Sequence, residues 1–310
     1  MKRYINYLIY NHGGIVLNSV AAVIITYNVE NDFENRINKI KGKVDEIIVV
    51  DNGSNSETIS MLKKLEKEIT IIYLEENKGI AYALNRGIEY SIEKGYGWIL
   101  TLDHDSIVTD DMIRNMLKCY ESFDEELKEK VAMLVPVHVE EKEYQSSGDE
   151  EKISKPYIEV LTEITSGALT KAEIYNNVGL YDEKLFIDLV DHDYCLSLKR
   201  KGFKIIQVNS AVLIHNLGES IKKNILGLIK MIPTNHSPLR RYYMSRNRHY
   251  IWDKYKEDFP SWVLTDKRRF ITENLKIILF EDRKIEKFKY IKKGIKDYKN
   301  NIFGKFKNNK

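Results

Sequence analysis

Long apolar runs, cysteine, proline and an excess of charge of one sign are all scarce in this chain, and each scarcity excludes a class of protein. No uninterrupted stretch of about 18 apolar residues occurs, so nothing in the sequence reads as a membrane-spanning helix. Five prolines and 16 glycines in 310 residues exclude a collagen-like or linker-dominated chain. Cys119 and Cys195 lie far apart and are too few for a disulfide framework, which points to a reducing, cytosolic setting. The 49 basic and 46 acidic residues leave a net charge of +3, too balanced for a dedicated nucleic-acid binder. Lys2 and Arg3 precede a short apolar patch that Asn6 and Asn11 interrupt, and no small-residue cleavage site follows. That does not read as a signal peptide. What is present is 43% hydrophobic residues, enough to bury a core and to exclude a largely disordered chain. A soluble or peripheral protein is expected.

The pattern from Val20 onward alternates short β-branched runs with longer amphipathic stretches. Strands are expected at Val20–Thr26, Val44–Val50, Ile69–Leu74 and Trp98–Leu102, with helices at Asn31–Ile40, Ser56–Lys67 and Gly79–Glu93 between them. Such alternation predicts βαβ units, an α/β fold and a mostly parallel sheet. Ligands of these sheets sit at the carboxyl ends of strands, where the polar clusters TYN, DNGS and DHDS fall. Further strands are expected at Val131–Val137, Val160–Thr165 and Phe203–Val208. A helix is expected from Lys171 and another over Asp191–Lys201, with an exposed loop over Glu140–Pro156. From Asn216 the chain turns helical, aromatic and basic.

Asp103 and Asp105 flank His104 after an apolar strand. Two carboxylates so spaced can enter one site and hold a hard divalent cation, with phosphates completing its shell. They can equally be a helix cap with solvated neighbours. Asp51 can be a turn residue, and Asn77-Lys78-Gly79 a plain helix start. Asp191 and Asp193 can simply favour the first turn of a helix dipole. Arg240, Arg241, Arg246 and Arg248 can be a solvated basic helix face or a diphosphate clamp.

Taken together, VIITYN, EIIVVDNGS, ENKGIAYALNRGI and WILTLDHDS, in that order, resemble the nucleotide-binding half of inverting family 2 glycosyltransferases with the GT-A fold. FIDLVDHDYCLSLKRKG and the strand-borne LDHDS look most like the bacterial rhamnosyltransferase branch, which uses dTDP-rhamnose, and Arg240 to Arg248 match the family's RYY…RN element. The resemblance spans about residues 20 to 250. It implies a Rossmann-like catalytic domain over 19–215, an N-terminal extension over 1–18 and a helical C-terminal region over 216–310. It places Thr26, Tyr27, Asn28, Asp51 and Asn52 around the donor base and ribose. Asn77, Gly79, Ala81 and Asn85 would border the nucleotide, and Arg246 its diphosphate. Asp103 would touch the ribose or the metal, and Asp105 would be the principal ligand of Mn²⁺ or Mg²⁺. His215, after the last strand, can complete that site and would bias it toward manganese. Ser166 and Gly167 look like the acceptor-side turn. The family's Glu-Asp pair reads Val190-Asp191 here, which leaves Asp191 as general base and Asp188 as its rival. The implied partners are a nucleotide-sugar donor and a glycan or lipid-linked acceptor, with no nucleic acid.

Other classes fit less well. A dinucleotide-dependent dehydrogenase needs G-x-G-x-x-G after the first strand, where this chain has TYNVEN. A two-carboxylate hydrolase needs no nucleotide pocket. A sugar-nucleotide binder without catalysis would have no use for Asp105, Asp191 and His215. The segment Leu264–Lys310 holds 15 Lys and Arg against 6 Asp and Glu, interleaved with Phe270, Ile277, Ile278, Leu279, Phe280, Phe288 and Tyr290. An apolar cluster, Ile225, Leu226, Leu228, Ile229, Met231 and Ile232, precedes it. The expectation is peripheral contact with the cytoplasmic membrane face, or a homodimer surface, although no sustained helical stripe dominates the segment.

Overall fold

The computed structural model describes residues 19–29, 32–141, 155–215, 223–225, 229–231 and 235–307. The N-terminal extension, most of the expected loop Glu140–Pro156, and Leu226, Leu228 and Ile232 of the apolar cluster lie outside the described residues. Strand β1 (Val20–Thr26) is buried at all seven positions, which is why its sequence, VAAVIIT, is apolar without alternation. It lies between β2 (Glu46–Asp51) and β4 (Trp98–Asp103), parallel to both, and β3 (Thr70–Tyr73) extends the sheet beyond β2. Alternate side chains of β1 enter two core layers. Ala21, Val23 and Ile25 pack with α3 (Ile80–Glu93), while Val20, Ala22 and Ile24 pack with α1 (Phe33–Ile40) and α2 (Ser56–Leu65).

The sheet continues through β5 (Ile107–Val108), β6 (Val131–Val139), β7 (Tyr157–Val160), β8 (Ala168–Lys171) and β9 (Lys204–Ile214), in the order β3-β2-β1-β4-β8-β6-β9-β5. It is parallel from β3 to β4 and mixed beyond, because β8 runs antiparallel to both β4 and β6. Two expectations shift here. The strand placed at Val160–Thr165 is instead β7, on the edge of β9, and β8 intervenes between Gly167 and the next helix. Helices α4 (Met112–Glu121) and α5 (Glu125–Lys130) precede β6, α6 (Ala172–Val178) follows β8, and α7 (Val190–Arg200) carries the acidic segment. After β9 the chain forms an antiparallel pair, β10 (Lys223–Ile225) with β11 (Ile229–Met231), where helix was expected. Helix α8 (Pro238–Tyr255) starts at Ser237, whose side chain accepts from the Arg240 amide with Pro238 in the first turn. Helices α9 (Pro260–Phe280) and α10 (Lys284–Lys299) follow. Ile251, Trp252 and Tyr255 of α8 share one buried cluster with sheet residues such as Ile25 and Val50. Helix α8 is therefore packed into the same core as the sheet.

Candidate active site

Strand register alone brings three candidate residues together. Thr26 is paired with Asp51 across β1 and β2, and Ile25 with Asp103 across β1 and β4, so the carboxyl ends of the three strands form one rim. Thr26 Oγ1 donates to Asp51 Oδ1 at 3.2 Å, and Asp51 Oδ2 accepts from the Ser54 amide at 3.0 Å. Asn52 Oδ1 accepts from the Lys78 amide at 2.9 Å, and Asn77 Oδ1 accepts from the Gly79 amide at 3.0 Å. Asn28, with φ of 52°, accepts from the Asn55 amide at 2.8 Å and takes the neighbouring turn into the left-handed region. Tyr27 stays 47% exposed on this rim.

Asp103, Asp105 and His215 each offer a ligand atom, and these atoms lie within 4.8 Å of one another. Burial pushes the Asp103 carboxyl up to about 6, with Asp105 and Asp191 adding to the rise and His104 opposing it. Asp191, in the first turn of α7, is near enough for its charge to act on Asp103. Behind it runs a polar chain. The Asp103 amide donates to Ser166 Oγ at 3.1 Å, Ser166 Oγ meets Ser106 Oγ at 2.7 Å, and Ser106 Oγ meets His215 Nδ1 at 2.9 Å. His138 Nε2 lies 2.8 Å from the Ser166 carbonyl. Ser106 and His138 escaped the sequence reading, although Ser106 stands directly after the DHD triplet. A partner on one ring nitrogen of His215 orients the ring and leaves the other nitrogen for a ligand.

The turn before α7 is strained. Asp188 and Leu189 both have positive φ, 67° and 65°, which costs about 1–3 kcal/mol per non-glycine residue. Asn247 Nδ2 restrains it by donating to the Ile187 and Asp188 carbonyls at 2.8 and 2.9 Å. Arg240 donates through Nε and an Nη to Asp188 Oδ1, both at 3.1 Å. Asn247, hinted at in the sequence only by the RN dipeptide, thus holds the turn that carries Asp188.

Several expected roles change. Gly79 has φ of 96°, and a Cβ there would meet the Phe186 carbonyl oxygen at 2.5 Å, so the backbone it approaches is that of Phe186. Ala81 is wholly buried in the core and does not line the rim. Asn85 is also enclosed, donating to the Tyr181 carbonyl and to Glu183 and accepting from the Tyr181 amide. Ser166 and Gly167 sit beneath Asp103 instead of facing an acceptor, and a Cβ on Gly167 would strike Pro136 at 2.7 Å. Arg246 is fully buried and donates to the Gly304 and Lys184 carbonyls at 2.7 and 3.2 Å. Its position in α8 turns it toward the C-terminal segment, so Arg240 is the arginine left at the site. Arg246→Ala is expected to lower stability by about 2–4 kcal/mol, because two carbonyls lose a charged donor and a large cavity opens. Urea unfolding and donor affinity measured on one preparation check this. A diphosphate role would instead weaken donor binding with an unchanged unfolding midpoint.

The Glycosyl transferase family 2 model matches residues 21–175, from β1 into α6. The chain is also 33% identical over 241 residues to the dTDP-rhamnosyl transferase RfbF of Shigella flexneri, covering 74% of this chain and 78% of that protein. The chain belongs to glycosyl transferase family 2. A poly-beta-1,6-N-acetyl-D-glucosamine synthase of Staphylococcus aureus matches this family 2 chain at 28% identity over 100 residues, 31% of this chain and 24% of that one. Among solved structures, GalNAc-T7 with UDP, GalNAc and Mn²⁺ aligns at TM-score 0.59 and 13% identity, over 92% of this chain and 56% of that one. Residues 1–349 of S. aureus TarS in complex with UDP-GlcNAc align at TM-score 0.59 and 15% identity, over 90% and 80%. At such identities the structural likeness is one of fold, and the fold is that of a GT-A transferase with a C-terminal helical region.

Proposed function

We propose that this family 2 transferase moves L-rhamnose from dTDP-rhamnose to a hydroxyl of a glycan or lipid-linked glycan acceptor, with inversion at the anomeric carbon. The observation that carries the reading is the convergence of Asp103, Asp105 and His215 beside Asp191 at the carboxyl ends of the strands. The likeness to RfbF supports the choice of donor.

Two carboxylates and one imidazole suit Mn²⁺, and Mg²⁺ less closely, and Asp103, Asp105 and His215 would hold it. A divalent cation bound there supplies Lewis-acid neutralisation of the departing diphosphate. The chain's own groups do the rest. Tyr27, Asn28, Asp51 and Asn52 hold the base and ribose, while Asn77 and Gly79 shape the adjoining loop. The Asp191 carboxylate takes the acceptor hydroxyl proton as the acceptor oxygen bonds to the anomeric carbon. The bond from that carbon to the diphosphate oxygen breaks in the same displacement, and the nucleoside diphosphate leaves with the electron pair.

The test is nucleoside diphosphate release with dTDP-rhamnose, UDP-glucose, UDP-galactose and a UDP-N-acetylhexosamine, each with Mn²⁺, with Mg²⁺ and with excess chelator. Release from dTDP-rhamnose at about tenfold or more above the others, lost in chelator, is expected. Preference for a UDP-sugar would move the protein to another donor within the family. Tight binding of every donor without turnover would make it a non-catalytic sugar-nucleotide binder.

A further inference from the structure

Helix α9 turns its acidic residues inward. Asp266 Oδ2 accepts from Trp252 Nε1 at 2.8 Å, and Glu273 accepts from both Nη atoms of Arg248 at 2.7 and 2.9 Å. The outward face carries no acid. Leu264, Ile271, Leu275, Ile278 and Leu279 are each 50 to 60% exposed. At 3.6 residues per turn they fall within one arc of about 100°. The exposed charged residues of this helix are Lys267, Arg268 and Arg269, all basic. On α10, Lys289, Lys292 and Lys296 are exposed at the spacing of a single helical face, and Ile285 before them is 76% exposed. An aliphatic stripe of this length, with cations beside it and no anion, is the composition of a helix that lies in a lipid interface. No helix among the described residues is long and apolar enough to cross a membrane.

We propose that the outward face of α9 docks on an anionic lipid bilayer. Its aliphatic side chains would enter the boundary between headgroups and acyl chains, and Lys267, Arg268 and Arg269, with the lysine row of α10, would meet lipid phosphates. A second copy of the chain fits this face poorly, because apposed stripes would bring basic residues together with no exposed acid on α9 to pair them. An anionic leaflet supplies the missing charge. The surface is separate from the donor site, so it stands or falls independently of the donor and of the reaction.

The experiment is sedimentation of the full chain with phosphatidylglycerol–phosphatidylethanolamine vesicles and with pure phosphatidylcholine vesicles, at low and high salt. Light scattering gives the mass of the free protein. The double variant Ile271→Glu, Leu275→Glu changes two exposed positions and should melt like the parent. Binding to the anionic vesicles alone, weakening with salt, is expected, with the double variant reducing the bound fraction about tenfold or more. A second variant, Lys289→Gln with Lys292→Gln, should bind the anionic vesicles more weakly at low salt and lose less of its binding as the salt rises. Equal or negligible binding to both vesicle types overturns the proposal, as does a double variant that binds like the parent. A two-chain mass that the double variant converts to one, without vesicle binding, also overturns it and makes the stripe a dimer contact.

Discussion

Asp105→Ala is expected to lower turnover by about 10²–10³-fold or more while thermal unfolding stays close to that of the parent. The two halves of this expectation rest on different atoms of one residue. The Asp105 side chain is 43% exposed and lies with its Oδ1 3.9 Å from His215 Nδ1. What ties the residue to the fold is its backbone carbonyl, which accepts from an Nη of Arg36 on α1, and alanine keeps that bond. Exposed substitutions that leave the backbone in place change stability by about 0.5 kcal/mol or less. The carboxylate, by contrast, is one of only two acids in the Asp103, Asp105 and His215 group, so alanine removes half of its anionic ligand set. Asp105→Asn, which keeps the shape and removes the charge, should fall almost as far. Nucleoside diphosphate release at saturating Mn²⁺, with melting curves on the same samples, gives the answer. Parent-like turnover in either variant would remove Asp105 from the site.

The parallel half of the sheet was legible because burial on both faces leaves a long apolar signature. Val20–Thr26 is found at the expected bounds, and Asp51 and Asp103 stand at strand ends as expected. Strand β8 was not legible. Its four residues, ALTK, follow the turn at Ser166 and Gly167 and run directly into α6, too short a span to show any period. Strand β7 carries Glu159, which pairs with Lys199 and Lys204, so its edge position hid the strand among charged neighbours. The inward direction of Arg246 was not legible, for a physical reason. Most of α8 is buried or half-buried, so its sequence has no polar face to show which arginine turns toward the site and which inward. Arg246 and Arg240 are six residues apart and point in different directions around that helix. The stripe on α9 was hidden the opposite way. Phe270 and Ile277 pack inward while Leu275 and Ile278 face outward, and a helix apolar on two faces shows no single stripe in its sequence.

The choice between Asp191 and Asp188 as base follows from what already surrounds each carboxylate. Asp188 Oδ1 is held by Arg240, its carbonyl by Asn247, and its Oδ2 is enclosed with no partner among the described residues. Burial raises the Asp188 carboxyl above the usual carboxylate range, while Arg240 opposes the rise. A carboxylate so walled in can restrain a strained turn, but an acceptor hydroxyl does not reach its free oxygen. Asp191 is half-exposed at the head of α7. Its Oδ1 accepts from the His192 amide at 2.8 Å, and its Oδ2 has no hydrogen-bond partner among the described residues. One oxygen is therefore positioned by the helix, and the other is left without a hydrogen bond among the described residues on a half-buried side chain whose charge acts on Asp103. Asp191→Asn is nearly isosteric and cannot take a proton, so turnover should fall by about 10²-fold or more with donor affinity and melting unchanged. Asp188→Asn should act mainly on stability, since Arg240 loses its charged partner at the left-handed turn. The pair is best read by single-turnover rates beside donor binding by calorimetry. An inactive Asp188→Asn with parent-like melting, alongside an active Asp191→Asn, would move the base three residues upstream and recast Arg240 as the group that holds it.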